Sequence, residues 1–92
     1  MSSSTYSDWA LIKARGDFGE WHLKQIITEA KAFEATITLA CHDHSASLKE
    51  PFKAFMILGY FRYREVMTVT GEGKDAEAAV KHIVGMVEEW HN

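Results

Sequence analysis

Lys31-Ala32-Phe33-Glu34-Ala35-Thr36-Ile37-Thr38-Leu39-Ala40-Cys41-His42-Asp43-His44-Ser45-Ala46-Ser47-Leu48-Lys49-Glu50-Pro51-Phe52 is the stretch whose reading decides the fold. Ala35, Ile37, Leu39 and Cys41 alternate with Thr36, Thr38, Ala40 and His42, so an extended chain here has one apolar and one polar face. That pattern predicts a strand with one side on a core. His42-Asp43-His44 reads as a turn, and Ser45 to Lys49 returns with Ala46 and Leu48 inward, completing a hairpin. Glu50-Pro51 then opens a helix: proline at the first helical position gives up no needed N–H, and a carboxylate there complements the helix dipole. This helix is expected from Phe52 to Leu58 and to end at Gly59. Ala54, Ile57 and Leu58 share its core face, which leaves Phe52, Phe55 and Met56 outward.

Working outward, Leu23, Ile26, Ile27 and Ala30 fall at helical spacing, with Lys24, Gln25, Thr28 and Lys31 on the opposite side. An amphipathic helix is therefore expected from Glu20 to Ala32. Before it, Arg15-Gly16-Asp17-Phe18-Gly19 breaks any period and reads as a loop. Trp9 to Ala14 alternates as a first strand, with Ala10, Ile12 and Ala14 on one face and Trp9 and Leu11 on the other. On the far side, Arg64 to Gly71 reads as the last strand and Gly71-Glu72-Gly73 as a turn. Lys74 to Trp90 reads as the longest helix, with Ala76, Ala79, Val80, Ile83, Val87 and Trp90 along one stripe. The order strand, helix, strand, strand, helix, strand, helix predicts an α+β fold, a two-layer open-faced β-sandwich with a four-stranded antiparallel sheet and three helices on one face. Residues 1–7 are small and polar and are expected to form a flexible N-terminal tail, with residues 8–92 a single domain.

Ninety-two residues, 47% of them hydrophobic, suffice for one modest core and not for two. A net charge of −3 argues against a general nucleic-acid binder, whose affinity comes from clustered Lys and Arg. No apolar run approaches the roughly 20 residues of a spanning helix, and Met1 to Thr5 lacks the features of a signal peptide, so no membrane role is expected. The single cysteine, Cys41, fits a reducing, cytoplasmic setting.

The run Ala30-Lys31-Ala32-Phe33, the threonine-rich strand, the polar hairpin and Ser45-Ala46-Ser47-Leu48-Lys49-Glu50-Pro51-Phe52-Lys53 together resemble the HPr phosphocarrier family of the sugar phosphotransferase system. Val66-Met67-Thr68-Val69-Thr70-Gly71-Glu72-Gly73-Lys74-Asp75-Ala76-Glu77-Ala78-Ala79-Val80 continues the resemblance, which thus spans nearly the whole chain and implies the same open-faced sandwich. In that family a histidine opening the first helix accepts a phosphoryl group, aided by helix N-terminal amides and an arginine. Counted back from Ala30-Lys31-Ala32-Phe33, the family's His-x-Arg-Pro motif falls on Gly19-Glu20-Trp21-His22. Gly19 stands at the acceptor position without a side chain to phosphorylate. Glu20 places like charge at the anion site, and Trp21 replaces the arginine that would hold the phosphate. His22, at the family's proline position, is the one alternative acceptor, one helical turn further in.

A second family site, a regulatory serine at the start of the middle helix, corresponds here to Glu50. A glutamate there carries a permanent charge resembling part of a phosphoserine, and it is equally a good helix starter. Phe52 and Lys53 match family positions that touch enzyme partners. With Trp21 beside that helix, Phe52, Phe55 and Met56 are expected to form a continuous apolar patch of the kind that binds protein partners, enzyme I or other phosphotransferase components among them.

Cys41-His42-Asp43-His44 carries metal-ligating residue types, but alternate strand residues face opposite ways and no second cluster pairs with it, so no metal and no cofactor are expected. The resulting expectation is a non-catalytic, HPr-like regulator that has lost phosphoryl transfer. A phosphocarrier using His22 is the second reading, and a structural or assembly domain unrelated to sugar transport the third.

Overall fold

The computed structural model describes residues 4–13, 20–41, 43–57 and 64–90. Among them the elements run β1 (Thr5–Leu11), α1 (Glu20–Ala30), β2 (Thr36–Cys41), β3 (His44–Ser47), α2 (Pro51–Ile57), β4 (Val66–Glu72) and α3 (Ala76–Glu89). The four strands form one sheet in the order β1-β4-β2-β3, with every neighbouring pair antiparallel. β4, last of the strands in sequence, lies between β1 and β2, which a helix connects. Two parallel strands split by a third are the signature of the split βαβ unit.

The alternation read from the sequence is the burial pattern observed. Ile37, Leu39 and Cys41 of β2, Met67 and Val69 of β4, Ala10 of β1 and Ile12 just after it are buried beneath the helices. α3 supplies Ala76, Ala79, Val80, Ile83 and Val87 as expected, and Val84 in addition. Leu23 and Ile26 of α1 are buried, and Ile27 and Ala30 pack against the same core at its margin. Ala46 and Leu48 point inward from the hairpin. The opposite face of the sheet is left open, with Trp9 59% and Val66 45% exposed.

Several boundaries differ from the sequence reading, each for a backbone reason. Thr5, Tyr6 and Ser7, expected in a tail, belong to β1 and pair with Glu72, Gly71 and Thr70, so the expected domain boundary before Asp8 falls inside a strand. Ladder hydrogen bonds use the main chain and ask little of side-chain polarity, and here Ser7 Oγ also meets Thr70 Oγ1 at 2.9 Å. The strand expected from Trp9 to Ala14 ends at Leu11, although Ile12 N–H still donates to the Glu65 carbonyl at 2.9 Å; Ala14 and the loop of residues 15–19 lie outside the described residues. β4 starts at Val66 rather than Arg64 because Arg64 has φ 74°, the left-handed region that interrupts a strand. It runs on through Gly71 and Glu72, so the turn expected at Gly71-Glu72-Gly73 begins at Gly73.

α1 closes at Ala30 rather than Ala32 because Ala32 N–H and Phe33 N–H bond carbonyls three residues back, Glu29 and Ala30, tightening the last turn. α3 begins at Ala76 and ends at Glu89, inside the expected span from Lys74 to Trp90. α2 begins at Pro51, and Leu58 and Gly59 lie outside the described residues.

Two glycines set how closely the layers approach. A Cβ on Gly71 would stand 2.9 Å from Val80 Cγ2 and 3.2 Å from the Ala76 carbonyl, so β4 passes directly under α3 where only glycine fits. Gly73 has φ 140°, which L side chains rarely adopt, and its N–H donates to the Ser4 carbonyl at 2.8 Å. Next to it, Asp75 accepts Glu34 N–H and Ala35 N–H, each at 2.9 Å, on its two carboxylate oxygens. Asp75 occupies the position before α3 without capping that helix by its side chain. Its carboxylate instead ties the segment between α1 and β2 to the turn between β4 and α3.

Candidate functional site

The expected site residues lie at the start of α1 and on α2. α1 begins at Glu20, so Trp21 and His22 are its second and third residues. His22 therefore belongs to the first turn, whose amides lack intrahelical partners, and not to a turn further in as the spacing had suggested. Gly19, the position matched to the family's acceptor, lies outside the described residues.

His22 is not an ordinary surface histidine. Its ring is half-buried, with the Trp21 indole edge-on at 5.2 Å between centroids and the Trp90 indole edge-on at 4.7 Å. Trp21 and Trp90 are themselves 6.0 Å apart. Burial disfavours the imidazolium and lowers the His22 pKa below its ordinary value of 6.5. Three aromatic rings thus gather where α1 begins and α3 ends. The sequence placed Trp90 on the core stripe of α3; in the structure it follows the helix as its C-cap and is half-buried against α1.

α2 presents the outward residues as expected. Ala54 and Ile57 point into the core, whereas Phe52 is 87%, Met56 75% and Phe55 49% exposed. The cause is helical spacing in a single seven-residue helix: three positions apart, Ala54 and Ile57 use up its one inner stripe. Lys53 is exposed and reaches Glu50 across 3.4 Å. Glu50 N–H donates to the Ser47 carbonyl at 2.9 Å, and the Glu50 carbonyl accepts the first helical bond from Ala54 N–H at 3.0 Å, so its backbone is committed to starting the helix.

Trp21, Phe52, Phe55 and Met56, expected as one patch, are all exposed. Phe52 and Phe55, with Pro51, form one wall of an apolar groove of about 420 Å³ whose other wall is Leu23, Lys24 and Ile27 of α1. Trp21, 60% exposed, stands beside His22 and Trp90. Leu23 and Ile27 were read only as core residues. Their position at the edge of the α1 apolar stripe, next to Lys24, is the signal that could have assigned them to a groove wall.

Around the hairpin, Cys41 is buried and His44 is its cross-strand partner, with an exposed side chain; His42 lies outside the described residues. Burial and then the Glu65 carboxylate raise the Cys41 thiol pKa, which keeps it protonated and inert. Among the described residues no cluster of three or more His, Cys, Asp or Glu is placed to hold a metal, and no helix is long and apolar enough to cross a membrane.

Fold and site together define a class: a small open-faced α+β sandwich whose distinguishing surface is an exposed apolar helix face beside an aromatic cluster at the start of the first helix. Relatives narrow this. The chain is 40% identical over 67 residues to the phosphocarrier protein HPr of Vibrio cholerae, covering 73% of this chain and 76% of that one. It is 33% identical over 63 residues to the phosphocarrier protein HPr of Haemophilus influenzae, covering 68% and 72%. This chain belongs to the HPr family. Solved structures agree on the fold: a Bacillus anthracis HPr superposes with a TM-score of 0.77 at 20% identity, over 91% of this chain and 98% of that one. A Mycoplasma histidine-containing phosphocarrier protein gives 0.78 at 18% identity, over 91% and 93%. No family model matches the chain.

Proposed function

We propose that this chain is an HPr-fold protein of the sugar phosphotransferase system that no longer carries phosphoryl groups and acts by binding protein partners in the cytoplasm, as a regulator or decoy rather than as an enzyme. The observation that carries the reading is chemical. Phosphoryl transfer through a protein needs a nucleophile, and Gly19, which stands at the family's acceptor position, has none. Trp21 at the arginine position leaves no cation to hold a phosphate there.

What the chain retains is a binding surface. Phe52, Phe55 and Met56 expose large apolar groups on α2 at positions that include the family's partner contacts, flanked by Lys53. Burying such side chains against a partner is worth ~1.5–3 kcal/mol each when complete. Glu50, at the family's regulatory serine position, supplies a constant negative charge at the start of α2, so the surface would have a fixed state that no kinase switches.

A carrier using His22 is the second reading. In its favour, His22 lies in the first turn of α1 and its lowered pKa keeps the ring neutral, the nucleophilic form. Against it, the ring is half-buried, with the Trp21 and Trp90 indoles edge-on beside it.

Incubation with enzyme I and phosphoenolpyruvate, followed by analysis for acid-labile phosphate, tests the proposal. Binding to enzyme I without phosphate incorporation is the expected result. Phosphate on His22 overturns it in favour of the carrier, and absence of binding to enzyme I or any sugar-system component points to an unrelated assembly domain.

A further inference from the structure

β1 is an outer strand of the sheet, seven residues long, and an edge of that length is a template for another strand. Its hydrogen-bonding phase is set by β4. Ile12 N–H donates to the Glu65 carbonyl at 2.9 Å and Arg64 N–H donates to the Ile12 carbonyl at 2.8 Å, so even-numbered residues bond inward. The odd-numbered Thr5, Ser7, Trp9 and Leu11 therefore direct their N–H and C=O groups away from the sheet. Two of these outward amides are already engaged by carboxylates. Trp9 N–H donates to Asp8 Oδ1 at 2.8 Å, and Leu11 N–H donates to Glu88 Oε2, carried by the last turn of α3, at 3.2 Å.

We infer that Asp8 and Glu88 guard this edge, and that the partner they exclude is a second copy of the chain. The strand is self-complementary. In an antiparallel pairing of β1 with itself that matches Thr5 with Leu11 and Ser7 with Trp9, all four outward residues find partners and the large Trp9, 59% exposed on the open face, stands opposite a small serine. The two-fold axis of that register passes through Asp8. Its two copies then face each other in a non-hydrogen-bonded pair, with Cα atoms about 4.5 Å apart, where like charges repel. Asp8 thus opposes the dimer twice, by occupying the Trp9 amide and by its charge at the axis. Glu88 closes the other end of the register by occupying the Leu11 amide. Glu88 comes from outside the sheet, so its part of the guard depends on α3 remaining docked on β1.

Removing the guard should turn the edge adhesive. The full chain carrying Asp8→Ala and Glu88→Ala is compared with the wild type by sedimentation velocity over a range of protein concentrations. The wild type is expected to be monomeric, and the variant to dimerise with an association constant about tenfold higher or more, the equivalent of ~1.4 kcal/mol. Amide exchange at Ser7 and Trp9 should slow with dimerisation. Adding Trp9→Pro, which removes an outward N–H and leaves the β4 ladder intact, should abolish the dimer. A double variant that keeps its circular dichroism and stays as monomeric as the wild type overturns the inference. So does a dimer that survives Trp9→Pro, or a wild-type dimer with protected Ser7 and Trp9 amides. If the double variant fails to fold, each single substitution is read in the same way, with a smaller shift expected and no shift refuting.

Discussion

Asp75 is the side chain through which one charged group holds two distant segments, and its removal gives the sharpest test of the packing described above. The carboxylate accepts Glu34 N–H and Ala35 N–H at 2.9 Å, one on each oxygen, across some forty residues of sequence. Hydrogen bonds to a charged group contribute ~1.5–3 kcal/mol each, but the Glu34 bond is exposed and competes with water, so we assign it about 1 kcal/mol and the part-buried Ala35 bond about 1.5 kcal/mol. Asp75→Ala should therefore lose about 2.5 kcal/mol, and no further cap energy, because the side chain makes no cap bond to α3. Asp75→Asn keeps one acceptor and turns an NH₂ group toward the other amide, so its loss should lie between those of Asp75→Ala and the wild type. Urea denaturation reads both, with an unchanged m-value showing that stability and not the unfolded state has moved. In a domain of this size 2.5 kcal/mol corresponds to a fall of about 10–20 °C in Tm. An Asp75→Ala protein within about 0.5 kcal/mol of the wild type, the range of ordinary surface substitutions, would refute the account.

Other consequences follow from single residues. Gly71→Ala should destabilise by about 2 kcal/mol or more, since its Cβ would meet Val80 Cγ2 at 2.9 Å and the Ala76 backbone; thermal denaturation checks it. Gly85→Ala, in mid α3 with nothing within 4 Å of the added Cβ, should stabilise by ~0.5–1 kcal/mol in the same assay. His22 should titrate by NMR with a midpoint below 6.5. Because its folded pKa is depressed, the unfolded chain binds the proton more readily, so His22 makes stability fall as pH drops from about 6.5 toward the folded pKa; in His22→Gln that part of the pH dependence should be absent. Cys41 should resist a thiol reagent in the native protein and react on unfolding, given its burial and raised pKa; fast native reaction would contradict both.

Much of the fold was legible because it rests on local periods. The alternation through Ala35, Ile37, Leu39 and Cys41 and the stripe from Ala76 to Val87 each appear in the structure as buried faces. Pro51 opens α2 as its chemistry dictates. Where boundaries moved, the deciding interaction was remote or confined to the main chain. Thr5 and Ser7 have no apolar signal and Tyr6 packs only at the margin of the core, so their order rests on pairing with β4, and Arg64 leaves the strand through a left-handed φ. The site was legible in part. Helical spacing predicted the exposure of Phe52, Phe55 and Met56, whereas the contact of Trp21 with Trp90, 69 positions further along the chain, forms only when α3 docks.

By itself, then, the sequence determined which face of each element is apolar, that a helix opens at Pro51, that one small core suffices, and that Gly19 offers no nucleophile, because each depends on residue identity or on spacings within a few positions. Tertiary structure alone decided that β4 inserts between β1 and β2, that Asp75 bonds across to Glu34 and Ala35 rather than capping its own helix, that Trp90 meets His22, and that Glu88 reaches the edge of β1. These contacts join residues tens of positions apart, and no local period encodes a partner that only the folding of the intervening chain brings within a few ångströms.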